Sequence, residues 1–116
     1  MPAFDYAPFE VVSVPFPFTD KARNKKRPAL VLSKPSFNQQ SGHLLLAMIT
    51  SAKNSDWALD VAISDLKETG LPSPSIVRMK LFTLDQRFVL NRLGSLSKTD
   101  RKKVNVALLK LIALEP

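Results

Sequence analysis

The chain contains no cysteine and a single histidine. The first absence removes disulfides, thiolate metal sites and a cysteine nucleophile, and it suits a reducing compartment such as the cytoplasm. The second effectively excludes a zinc site built on histidines. His43 follows Gly42 in a turn-like stretch and reads as a surface residue rather than a catalyst. No run is apolar for long enough to span a bilayer, so no membrane partner is expected. Met1-Pro2-Ala3-Phe4-Asp5 lacks the basic-then-hydrophobic pattern of a signal peptide. Nothing repeats, no tract is of low complexity, and no linker divides the chain.

What is present fits one domain, residues 1–116, whose 45% hydrophobic content supplies a core without staples. The net charge of +7 favours a polyanionic partner, a nucleic acid or an acidic protein segment, over neutral ones. The cations are sorted into patches. Lys21, Arg23, Lys25, Lys26 and Arg27 crowd one segment, Arg78, Lys80, Arg87 and Arg92 lie in the second half, and the middle carries Asp56, Asp60, Asp65 and Glu68.

Phe9 to Phe16 reads as a strand with Val12, Val14 and Phe16 on one face, and Pro15 marks an edge or bulge. Lys21 to Lys26 is expected as a mobile, solvated loop. Pro28 biases Arg27 away from helix and opens a second strand to Ser33, buried on both faces. Lys34 to Gly42 is turn-rich with room for one helical turn. Leu44 to Ile49 is a central strand ending in Thr50-Ser51. Leu59, Val61 and Ile63 alternate with Asp60 and Ala62, a half-buried strand over 58–64. One helical turn is expected at 65–70. A strand follows over 75–81, with Arg78 and Lys80 on one face, and another over about 87–93. Ser97 and Asp100 have capping-box spacing, with Asp100 reaching back, ahead of a helix striped by Val104, Leu108, Leu111 and Ile112. Short antiparallel strands and one C-terminal helix give a mainly β fold, a small, strongly bent barrel that leaves rim loops and a sheet face free to bind.

Arg27 stands where a cationic arm becomes strand, a position that holds the backbone still and points the charge outward. It is a functional candidate, and pairing with Glu10 is the bland alternative. Thr50 is either a site hydroxyl or a strand-end hydroxyl bonded to its own backbone. Trp57 either caps the barrel or contacts a partner. Phe16, Phe18 and Phe82 either stack on bases or pack in the core, and packing is expected for at least two of them.

Glu10 to Asp20, Arg27 to Ser33, Ile49-Thr50-Ser51, Ser75-Ile76-Val77-Arg78, Leu84-Asp85 and Leu93 to Ser97 together resemble the MazF/PemK family of toxins. The resemblance runs from about Glu10 to the final helix. It implies an SH3-like barrel that forms a homodimer. It also implies the toxin of a type II toxin–antitoxin system, a cytoplasmic, metal-independent mRNA interferase without cofactor that cleaves single-stranded RNA by 2′-OH attack. The implied protein partner is a cognate antitoxin with an acidic tail. By position, Arg27, Thr50 and Arg78 take the catalytic places, Arg78 as an acid or a phosphate clamp. Lys21, Arg23, Lys25, Lys26, Ser51, Lys80 and Phe18 are expected to bind RNA.

The chain departs from the family pattern in three places. Phe9 replaces a small residue, the loop from Thr19 to Lys26 has neither histidine nor glutamate, and Lys80 stands where some members have aspartate. Asp20, Glu10 or water is left as general base. The missing base keeps open a non-cleaving SH3-like module for nucleic acid or protein, and a related toxin family with the same barrel keeps open a topoisomerase poison. The poison depends on an aromatic residue at the C-terminus, where this chain has Leu114-Glu115-Pro116.

Overall fold

Apolar runs become the centre of one antiparallel sheet because residues on both of its faces have somewhere to be buried. The computed structural model describes residues 5–16, 25–54 and 56–115. Its strands are β1 (Glu10–Phe16), β2 (Lys25–Val31), β3 (His43–Ser51), β4 (Val61–Ala62), β5 (Ser75–Asp85) and β6 (Asn91–Ser95), in the order β4-β5-β3-β2-β1-β6. Helix α1 spans Pro35–Ser41 and α2 spans Lys98–Leu111. The architecture is the expected mainly β one: six antiparallel strands in a curled half-barrel, with a C-terminal helix.

Alternation along the strands divides the core in two. Val11, Leu30, Ala47, Ile49, Val77 and Met79 face α2, where Val104 and Ala107 cover them. Val12, Val14, Ala29, Val31, Leu44 and Leu46 face the other way, against Tyr6 and Leu84. The curled edges meet through a turn rather than a ladder. Ser95 N–H of β6 donates to Glu68 O at 2.8 Å, and Gly70 and Gly94 let the two backbones approach where any Cβ would strike a carbonyl. Gly70 also has φ 73°, a left-handed conformation that glycine adopts without strain.

Several boundaries differ from the sequence reading. Lys25 and Lys26 are not loop but strand, opposite Phe16 and Pro15, because the β1–β2 hairpin continues past Pro28. Pro15 does lie beyond the last β1–β6 pair, Ser13↔Asn91. The stretch 58–64 is strand only at Val61–Ala62, with Ile63 N–H adding one bond to Ser75 O at 3.0 Å. Before that Asp60 N–H turns back to Trp57 O at 3.2 Å, and Leu59 has φ 66°. Residues 65–70 form turns without a helix, since the Asp65 carboxylate accepts from Lys67 N–H at 3.0 Å and Thr69 Oγ1 bonds Leu66 O at 2.8 Å. The expected strand over 87–93 begins instead as a 3₁₀ turn, Gln86–Phe88, which Asp85 caps. In α2, Leu111 and Ile112 are exposed because the last turn runs past the sheet, so Ala107 completes the buried stripe.

Candidate functional site

Hydrogen bonding between β2 and β3 covers Ala29↔Met48, Leu30↔Ala47 and Val31↔Leu46 and then stops. Two more steps in that register would set Arg27 opposite Thr50. Pro28 brings no N–H to such a ladder, and the two strands part there. The opened end is a cavity of about 400 Å³ lined by Arg27, Pro28, Thr50, Ser51, Asn54 and the connector Leu71-Pro72-Ser73, with Phe16, Met48, Ile49 and Ser75. Phe16 and Met48 also line a second cavity of about 160 Å³ with Lys80, Leu81 and Phe82, so one groove runs from Pro72 to Lys80.

Residue parity explains the composition of this groove. Arg27 shares a face with Ala29 and Val31, Thr50 with Leu44, Leu46 and Met48, Phe16 with Val12 and Val14, and Lys80 with Phe82 and Leu84. One sheet face is therefore apolar core at one end and cationic groove at the other. Lys25, Lys26, Arg27 and Lys80 are exposed. Among the described residues no carboxylate pairs with Arg27: Glu10, its suspected partner, accepts from Ala7 N–H at 2.9 Å and pairs with Arg92 at 3.3 Å. Glu10 lies six residues from Phe16 along β1, about 20 Å at the usual strand rise, and is not among the groove residues.

The hydroxyls have definite partners. Thr50 Oγ1 accepts from Asn54 Nδ2 at 3.3 Å, Ser51 Oγ accepts from Lys53 N–H at 3.2 Å, and Ser75 Oγ donates to Ser73 O at 2.8 Å. No described lining residue is a carboxylate or a histidine. His43 is the first residue of β3, at the strand's other end, and is exposed as expected.

Arg78 lies outside the cavity wall. Its guanidinium binds Asp60 in bidentate fashion, Nε to Oδ1 at 3.1 Å and Nη2 to Oδ2 at 2.9 Å, and Nη2 also donates to Asn54 O. Both side chains are mostly buried, at 16% and 14% exposure. The Arg78 hydrogen bonds hold the Asp60 carboxyl below the usual carboxylate range against the opposing effect of burial. Trp57 is half-exposed beside this pair, with Lys80 Nζ 4.9 Å and the Arg78 guanidinium carbon 5.9 Å from its ring centre.

Sequence reasoning named Arg27, Thr50, Ser51, Lys25, Lys26 and Lys80; the structure places Arg27, Thr50, Ser51 and Lys80 on this groove and Lys25 on the same face opposite Phe16, while Lys26, one residue out of phase, falls on the other face of the strand. Lys21, Arg23, Phe18 and Asp20 lie outside the described residues. Asn54, Asp60 and the Leu71-Pro72-Ser73 wall were missed. Only Asn54 had a local signal, as an amide four residues beyond Thr50 where the strand ends.

A family model described as PemK-like, MazF-like toxin of type II toxin–antitoxin system matches residues 7–112. Among solved structures, an endoribonuclease in complex with its cognate antitoxin, from a mycobacterial species, superposes with TM-score 0.72 at 17% identity, covering 97% of this chain and 98% of that one. MazF in a MazE–MazF structure from Deinococcus radiodurans gives TM-score 0.72 at 21% identity, covering 97% and 100%. The Mycobacterium tuberculosis toxin MazF-mt6 gives 0.72 at 19%, covering 92% and 99%. At these identities the likeness is one of fold. No curated protein sequence matches the chain.

Proposed function

The chain belongs to the PemK-like, MazF-like family of type II toxin–antitoxin toxins, and on that premise we propose that it is a metal-independent endoribonuclease that cleaves single-stranded mRNA at short sequences. The observation that carries this reading is the splayed β2–β3 end. It sets Arg27, without an acid partner among the described residues, and the Thr50 hydroxyl on one open cavity. An in-line attack by a ribose 2′-oxygen on the adjacent phosphorus builds negative charge on the phosphate oxygens. A guanidinium donates two N–H bonds to such oxygens and stays charged at working pH. The P–O5′ bond breaks, the 2′-OH proton passes to a base, and the departing 5′-oxygen takes a proton from solvent. The products are a 2′,3′-cyclic phosphate and a 5′-OH.

In this assignment Arg27 steadies the phosphate and Thr50 contributes a hydroxyl beside it. Ser51, Lys25, Lys26 and Lys80 follow the RNA backbone, joined by Lys21, Arg23 and Phe18 from the preceding segment. Arg78 supports the site from behind through Asn54. The same cationic groove fits the acidic tail of a cognate antitoxin, and the active form is a cytoplasmic homodimer.

The test is incubation of the pure protein with single-stranded RNA in chelator, followed by end mapping. Cyclic-phosphate termini at a recurrent sequence are expected. Arg27→Ala should lower the rate by about 10²–10³, the usual cost of one donor to a developing oxyanion. Tight RNA binding without products would overturn the enzyme and favour a non-cleaving module.

A further inference from the structure

We propose that Asn54 is a positioning residue for Thr50, and that Asp60 and Arg78 hold it in place. The proposal rests on the ribonuclease reading above and deepens it. A threonine hydroxyl has one proton and two lone pairs. Asn54 Nδ2 donates to Thr50 Oγ1 at 3.3 Å and occupies one of those lone pairs. The hydroxyl proton then has to point elsewhere, and Thr50 lines the cavity. Held this way, Thr50 presents a donor, which suits a phosphate oxygen gaining charge better than it suits a 2′-OH that must lose its proton.

A short turn beyond a strand end is ordinarily a poor place from which to aim a hydroxyl, but this one is tied down at several points. Ala52 N–H donates to Pro74 O at 3.0 Å, and Lys53 N–H to Ser51 Oγ at 3.2 Å. Arg78 Nη2 binds the Asn54 carbonyl, and the other edge of the guanidinium is locked on Asp60 at 3.1 and 2.9 Å. Arg78 is absent from the cavity wall. Its hydrogen bonds connect it to the cavity wall through Asn54, and its bidentate fork has a use that a lysine there could not fill.

The experiment is a double-mutant cycle on single-turnover cleavage at saturating RNA in chelator. Affinity is measured separately with a 2′-deoxy substrate that cannot react. Asn54→Ala should slow cleavage ~10-fold with affinity changed less than ~2-fold, as expected when a reacting geometry loosens without losing substrate contacts. In a Thr50→Ala background the same substitution should cost nothing further, whereas in Thr50→Ser, which keeps the hydroxyl, the loss should return. Asn54→Asp keeps the shape but takes the Thr50 proton for itself, and should be slower than Asn54→Ala at saturation. Melting temperatures near wild type are expected for both, since the side chain is exposed and the Arg78 bond is to the backbone. Undiminished cleavage by Asn54→Ala, losses that multiply with Thr50→Ala, or a loss confined to affinity would each overturn the proposal. Failure of the wild-type protein to cleave at all would instead overturn the ribonuclease reading.

Discussion

For the proposed cleavage, a carboxylate to take the 2′-OH proton is what the described groove lacks, and the lack bears on how such a reaction would depend on pH. Glu10 is spent on Ala7 N–H and Arg92, and Asp60 on Arg78. Solvent is then the proton acceptor that the described residues leave in reach. A carboxylate base is fully ionised from about pH 6 upward and gives a flat profile there, whereas solvent hydroxide gives a rate that climbs about tenfold per unit. We expect the climbing profile between about pH 6 and 8, unchanged in slope by Asp20→Asn. A flat wild-type profile that Asp20→Asn turns into a slope would place the proton on Asp20. At this scale the sequence was informative wherever a local signal existed. Pro28 marks where Arg27 meets the sheet, and Thr50-Ser51 ends an apolar run. Arg78 looked like a free clamp because its partner, Asp60, is 18 residues away in sequence and nothing near either residue announces the pairing.

The joint between α2 and the turn after β4 belongs to elements rather than residues. Ser97 Oγ accepts from Asp100 N–H at 3.2 Å, so the cap at the start of α2 is as the spacing implied. The Asp100 carboxylate does not close a simple box. It is fully buried and accepts from Ser64 N–H at 3.0 Å, Ser64 Oγ at 2.7 Å and Asp65 N–H at 3.1 Å, pinning the helix to the other side of the barrel seam. Spacing within one helix could not show a bond made to a residue 36 positions away. Burial pushes this carboxyl up and is the largest single influence, but the Ser64, Asp65 and Ser97 hydrogen bonds together hold it below its ordinary value of 3.8. A folded-state value below the unfolded one means stability that is present above pH 3.8 and lost as pH falls toward the folded value. Asp100→Ala takes the acceptor from the Ser64 and Asp65 N–H groups and removes helix-capping contacts, and should cost about 2–4 kcal/mol in urea unfolding at neutral pH. The difference from wild type should shrink below pH 3.8. An unchanged difference there would mean that packing, not the carboxylate, supplies the loss.

Across the whole molecule, the net charge of +7 is less informative than where it goes unopposed. Arg78, Arg87 and Arg92 each face an acid, Asp60, Asp85 and the Asp5–Glu10 pair respectively, and Lys103 lies 3.5 Å from Asp100. Lys25, Arg27 and Lys80 are exposed on the groove side with no carboxylate partner among the described residues, while Lys98, Lys102 and Lys110 are exposed on α2, which packs on the opposite sheet face. Each phosphate neutralised on a single strand adds about 0.7 to the steepness with which log affinity falls against log salt. Replacing Lys25, Arg27 and Lys80 together by alanine should therefore flatten the slope for single-stranded RNA by about 2. The same three-charge deletion at Lys98, Lys102 and Lys110 should leave it nearly unchanged. Both variants lose the same net charge, so equal slopes would show that RNA responds to the charge of the molecule as a whole and not to this groove. A flattening confined to the first variant would mean that the path from Arg27 to Lys80 carries the strand, because Lys25, Arg27 and Lys80 share a sheet face with the cavity where β2 and β3 part.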